Sequence, residues 1–251
     1  MFRYKKNWLV AIFGLVLGFI IFGNSVNGRF VYDDNIVLSN SRFNEPASFL
    51  SFFKEPYFEN FPEAGLYRPL TLISFAFNFL ISGNNPAGFR LLNILLHMAN
   101  SILAYLLILE FTRSFRISFL SFLMFLVLPI HVEAVSSVVG RAELLSFFFA
   151  SLSLFAWLRT KFIISALLFF AALLSKETAI ALPVILFILS VYRKKSPIWL
   201  CYFGIAVFSY AILRFWILGG FALEPQVEFV FNPLKFVSLP ERLATTLKIS
   251  V

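Results

Sequence analysis

Apolar runs long enough to approach the thickness of a bilayer recur along the whole chain. In hydrocarbon every backbone polar group must find its partner within the segment, so such runs are confined to helices. They fall at 8–22, 89–111, 117–128, 144–158, 162–174, 180–192 and 198–218, the shorter ones extended by their flanks. With 60% hydrophobic and only 14% charged residues among 251, and a mean hydropathy of +0.86, the chain exceeds what a soluble core needs. The expected fold class is an all-α polytopic membrane protein of about seven transmembrane helices. Its net charge of +8 is carried in short connectors and forms no basic stripe with interleaved aromatics, so membrane lipid is an expected partner and nucleic acid is not. Cys201 sits alone inside an apolar run and offers neither a disulfide nor a thiolate metal site.

Connector charge sets the expected topology. Arg3, Lys5 and Lys6 precede the first run, which is at the long end for a signal peptide and is followed by no A-x-A cleavage pattern, so it reads as an anchor with a cytoplasmic N-terminus. Residues 24–88 form a large first outer loop carrying Asp33, Asp34, Glu45, Glu55, Glu59 and Glu63, broken by Pro46, Pro56 and Pro62. Within it, 70–81 is apolar but places Thr71, Ser74 and Asn78 on one helical face, which predicts a juxtamembrane helix lying flat in the interface. With that helix flat, Arg113 and Arg116, Arg159 and Lys161, and Arg193 to Lys195 all share the N-terminal side, as the positive-inside rule asks. Glu110 is then the one acidic residue on that side, and the mixed connectors join Asp33 and Asp34 on the other.

Two adjacent carboxylates beside a membrane segment are costly unless they face water or do work. On the same side fall the connector 129–143, with His131, Glu133, Arg141 and Glu143, and the connector 174–178, with Lys176 and Glu177. A carboxylate can take the proton of a hydroxyl nucleophile, while Arg and Lys can bind a phosphate. Together they suit group transfer from a lipid-linked phosphate. Neither a G-x-G-x-x-G nor a P-loop pattern occurs, and a donor arriving in the membrane needs no nucleotide site. Asp33, Asp34, His131 and Glu133 lack a recognised ligand spacing; no cofactor is expected, and a divalent cation is the one open alternative.

The stretches Phe30-Val31-Tyr32-Asp33-Asp34, Tyr67-Arg68-Pro69-Leu70-Thr71, His97 after Leu92-Asn93, Pro129 to Val135, Val139 to Leu145 and Ser175-Lys176-Glu177 carry a resemblance. In order and spacing the chain resembles the transmembrane and tetratricopeptide-repeat family of protein O-mannosyltransferases, of the GT-C class. The resemblance implies a GT-C-like catalytic module over 1–218 and an outer-side segment over 219–251. It implies Asp33 as catalytic base with Asp34 as alternate base or orienter, and Arg141 and Lys176 on the donor phosphate. His131, Glu133, Glu143, Glu177 and Arg68 would contact substrate or support those groups. The implied donor is a polyprenyl- or dolichyl-phosphate sugar, mannose above all, and the implied acceptor a Ser or Thr hydroxyl of a protein.

The family also has further spans and helical repeats with a period of about 34 residues. Their absence here leads to the expectation of an N-terminal portion of a longer protein. A noncatalytic scaffold or truncated pseudoenzyme is the alternative reading. A transporter, for which His97 and Arg214 would be the intramembrane ionisable groups, is a third. The outer loops carry no N-x-Ser/Thr sequon, which favours a bacterial inner membrane over an endoplasmic reticulum membrane.

Overall fold

A computed structural model describes residues 7–40, 43, 49–194, 197–220 and 237–249. Among them every regular element is helical: α1 (Asn7–Phe22), α2 (Asp33–Leu38), α3 (Pro69–Ser82), α4 (Pro86–Thr112), α5 (Phe115–Val127), α6 (Val132–Ser136), α7 (Arg141–Leu158), α8 (Phe162–Ser175), α9 (Leu182–Tyr192), α10 (Trp199–Leu218) and α11 (Leu239–Ile249). The chain is an all-α polytopic membrane protein. Arg3, Lys5, Lys6, Glu45, Pro46, Lys195 and most of the segment 219–251 lie outside the described residues.

Among the described residues, four helices are long and apolar enough to cross a membrane: α1 with the turn that continues it, α4, α7 and α10. A fifth span is available if α5 and α6 count as one, bent by 50°. The bend has a local cause: Pro129 has no N–H to continue the helix, and Leu128 before it is forced into extended backbone at ψ 129°. The expected spans at 162–174 and 180–192 are helices of 14 and 11 residues, shorter than the roughly 20 that a bilayer core takes.

Local sequence explains where the central elements start and stop. Asn85 caps α4 by accepting from the Ala87 N–H, and Pro86 occupies the first helical position, where no N–H is needed. This 27-residue helix touches α1, α3, α5, α6 and α7. Gly14 and Gly18 let α1 come close: a Cβ at either would sit 2.7 Å from the Phe122 ring or 2.6 Å from Met98 Sδ. The second half packs α7 on α8 and α8 on α10 around Trp157, Phe169, Trp199 and Phe203. Large apolar side chains of α1, α9 and α10, Ile20, Ile188 and Trp216 among them, remain exposed on the outside, as a lipid-facing surface requires.

The two ends of the bundle differ in charge. At one, Arg113 and Arg159 reach Glu110 at 2.9 and 3.9 Å, and Arg193 stacks on Phe111. The three basic connectors therefore meet around the acidic residue expected among them. The other end holds Asp33, the connector between α6 and α7, and the turn after α8. Helix α3 lies across this end, because Arg68 and Thr71 at its start meet Glu177 and Ser175 while Ser74 and Asn78 further along meet Arg141. Its polar face, however, points inward. Thr71 and Asn78 are buried against the bundle, and Phe77, Leu80 and Ile81 are the exposed residues. Buried backbone carbonyls and a buried guanidinium need those polar partners more than water does.

Candidate active site

Asp33 and Asp34 open α2 and part ways at once. Asp34 is buried; it accepts hydrogen bonds from the Val31 N–H (3.3 Å), the Val139 N–H (3.1 Å) and the Ser137 hydroxyl (3.2 Å), with the Arg90 guanidinium 4.0 Å away. Asp33 is exposed and lines a cavity. The turn between them and the first span is strained: Tyr32 has φ 46°, a left-handed conformation that costs a non-glycine residue about 1–3 kcal/mol. The ties of Asp34 to its own loop, to the Ser137 hydroxyl and to the Val139 N–H oppose that strain and fix where Asp33 stands.

Arg90, on the first turns of α4, completes the staple. Its guanidinium donates to the carbonyls of Ser136 (2.9 Å), Gly28 and Arg29. One turn on, Asn93 donates to the Ser137 carbonyl at 2.7 Å. The first loop, α4 and the connector to α7 are thus joined by polar groups that are themselves buried. Neither Arg90 nor Asn93 was expected at the site, yet the signal is in the sequence. Arg90, Asn93, His97 and Asn100 follow one another at spacings of three and four, a polar stripe along one face of an apolar helix.

Arg141 does not reach the cavity. It is fully buried, and its donors are taken by Asn93 Oδ1 (2.8 Å), Asn78 Oδ1 (2.8 Å), the Phe89 carbonyl (2.7 Å) and the Ser74 carbonyl (3.3 Å). Its guanidinium carbon also lies 4.9 Å from the Phe75 ring centre and 5.5 Å from that of Phe89. This placement differs from the expectation that it holds a phosphate: a planar cation with four of its five donors used by α3 and α4 acts as an internal clamp.

The cavity measures about 560 Å³ and opens at the end where Asp33 stands. Around it come Arg68, His131, Glu133, Glu143 and Lys176, so five of the sequence-predicted residues join Asp33 there; Asp34 and Arg141 stand behind the wall. Glu177 is tied to the rim by Arg68, which donates Nε to Oε2 (3.0 Å) and a terminal nitrogen to Oε1 (2.5 Å). Burial pushes the Glu177 carboxyl up, but the paired hydrogen bonds and charge of Arg68 outweigh it and hold the group below its ordinary value. Lys176 donates to Glu143, which is half exposed. Tyr57, absent from the expected set, lies under Arg68 with its ring centre 5.2 Å from the guanidinium carbon, and burial raises its hydroxyl above the usual phenol range. Among the described residues no three His, Cys, Asp or Glu side chains gather as a metal site.

Fold and site together define a class: a polytopic membrane protein whose bundle-end cavity is lined by carboxylates, Asp33 among them, and by the partly paired cations Arg68 and Lys176. The chain is TMTC-like. It is 33% identical over 177 residues to protein O-mannosyl-transferase Tmtc1 of Drosophila melanogaster, a match covering 65% of this chain and 20% of that protein. It is 33% identical over 155 residues to TMTC3 of Homo sapiens (59% and 17% covered) and 35% identical over 162 residues to TMTC4 of Mus musculus (55% and 22% covered). The matches thus span about a fifth of these relatives' length. No family model matches the chain, and no solved structure does.

Proposed function

We propose that this chain carries the catalytic face of a membrane glycosyltransferase that moves a sugar, mannose by analogy with the names of its relatives, from a polyprenyl-phosphate donor to a Ser or Thr hydroxyl on the outer or lumenal side. The supporting observation is that Asp33, a carboxylate not spent on the fold, lines one cavity with Arg68 and Lys176 beside membrane-spanning helices.

In this reading the acceptor oxygen attacks the anomeric carbon while the bond from that carbon to the phosphate oxygen breaks. Asp33 takes the acceptor proton as attack proceeds. Charge builds on the leaving phosphate, where Lys176 offers two ammonium hydrogens not used by Glu143 and Arg68 offers the guanidinium donors not used by Glu177. One base and one displacement invert the anomeric centre. Asp34 serves as orienter of the loop that bears Asp33, and His131, Glu133 and Glu143 border the space for the sugar and the acceptor.

The test is transfer from radiolabelled polyprenyl-phosphate mannose to a Ser/Thr-rich acceptor in purified membranes, comparing the unaltered chain with Asp33→Asn. Loss of about a hundredfold or more in the variant is expected, the usual worth of a general base. Equal transfer by both would refute Asp33 as the base.

A further inference from the structure

Three buried polar atoms without a hydrogen-bond partner belong to residues lining the same cavity: Tyr57 Oη, His97 Nδ1 and Asn100 Oδ1. Buried polar atoms are otherwise nearly always satisfied, so such a concentration at one cavity points to something that occupies it. The character of two of them can be fixed from the opposite side of each ring or amide. His97 Nε2 lies 3.2 Å from the Leu126 carbonyl, which can only accept, so in the neutral ring Nε2 carries the hydrogen and Nδ1 is an acceptor. Asn100 Nδ2 donates to the Leu144 carbonyl at 2.9 Å, which leaves Oδ1 as the acceptor. The two residues stand at i and i+3 on α4, hence on one face.

Phe125 and Phe147 line the same part of the wall, with ring centres 5.0 Å apart, and the His131 ring lies 4.5 Å from Phe125 and 5.0 Å from His97. Acceptors next to aromatic faces match a ring that offers hydroxyl donors on its edge and C–H groups on its face. A bare phosphate or a hydrocarbon tail offers no such donors.

We infer that His97 and Asn100 form the sugar-recognition floor of the cavity, accepting hydrogen bonds from two hydroxyls of the hexose carried by the donor lipid, with Phe125 and Phe147 against its C–H face. This rests on the glycosyl-transfer reading of the cavity and adds to it the residues that read the sugar. The pair belongs to binding and not to the proton transfer assigned to Asp33.

Binding of synthetic polyprenyl-phosphate mannose and of bare polyprenyl phosphate to the purified full chain in nanodiscs tests it. The unaltered chain should prefer the mannosylated lipid. His97→Phe and Asn100→Leu should each weaken that lipid about tenfold, the worth of one buried hydrogen bond, and leave the bare phosphate unchanged. His97→Gln, which keeps a donor for Leu126 and an acceptor for the cavity, should restore much of the loss. Independently of any variant, at least one monodeoxy-mannosyl lipid should bind the unaltered chain about tenfold more weakly than the parent. If the variants lose both lipids equally, or neither, or if no deoxy analogue differs from the parent, the floor is overturned while the cavity reading stands. If the unaltered chain shows no preference for the mannosylated lipid, the glycosyl-transfer reading falls and the floor with it.

Discussion

Arg68 and Glu177, 109 residues apart, meet in a two-pronged ion pair that joins the start of α3 to the turn after α8 at the rim of the cavity. Because the folded Glu177 carboxyl lies below its ordinary value, the pair stabilises the fold above the unfolded glutamate pKa of about 4.3, and that stability fades as pH drops through the lower folded value. Thermal unfolding in detergent should therefore show the unaltered chain losing its advantage over Glu177→Gln as pH is lowered from 7 to 3. An advantage that is the same at both pH values would show that the pair does not contribute.

The neighbouring carboxylates should separate by phenotype. Asp34→Ala removes the carboxylate beside the buried Arg90 guanidinium and leaves two backbone N–H groups and the Ser137 hydroxyl without their acceptor, a loss of about 3 kcal/mol, whereas Asp33→Asn should shift stability by less than about 0.5 kcal/mol. Denaturation midpoints of the two variants, read beside sugar transfer, check the division.

Arg141→Met should behave as a folding defect. It leaves Asn93 Oδ1 and Asn78 Oδ1 unpaired in the interior at about 1–3 kcal/mol for each unsatisfied group, with no selective effect on phosphate binding in whatever folded protein remains. A variant of normal stability that fails only to bind polyprenyl phosphate would contradict the clamp.

Gly140 is fixed by close approach. A Cβ there would sit 2.3 Å from the Ala134 carbonyl oxygen, so Gly140→Ala should cost about 1–3 kcal/mol by forcing α6 from the start of α7. Melting temperature is the readout, and an unchanged value would mean the connector yields.

Sidedness can be read by labelling. After replacing the exposed Cys201 with Ser, single cysteines at Tyr32 and Lys194 should react with an impermeant reagent from opposite sides of sealed vesicles. Labelling of both from one side would end the topology in which the basic connectors and the cavity lie at opposite ends.

The local reading of the chain went far because each step needed only neighbours. Helix 86–112 was legible over 89–111 from the length of its apolar run, even with a polar stripe from Arg90 to Asn100 on one face; Asn85 and Pro86 fix its start, and the break at Leu128–Pro129 follows from the proline ring. The grouping of Asp33, Arg68 and Lys176 was legible through connector parity and resemblance. Arg141 was misjudged for a physical reason. A cation at a span end looks the same in sequence whether it points to water or inward, and only the positions of Ser74, Asn78, Phe89 and Asn93 reveal that four of its five donors are used inside the bundle.

Sequence by itself determined the solvent: apolar runs admit only helices in a membrane, and the basic connectors sort to one end by charge alone. Tertiary structure decided which of two adjacent aspartates is spent on the fold. It also turned the polar face of α3 inward and set Tyr57, His97 and Asn100 around one cavity. Those outcomes depend on hydrogen bonds between residues up to about a hundred positions apart, which no local pattern encodes.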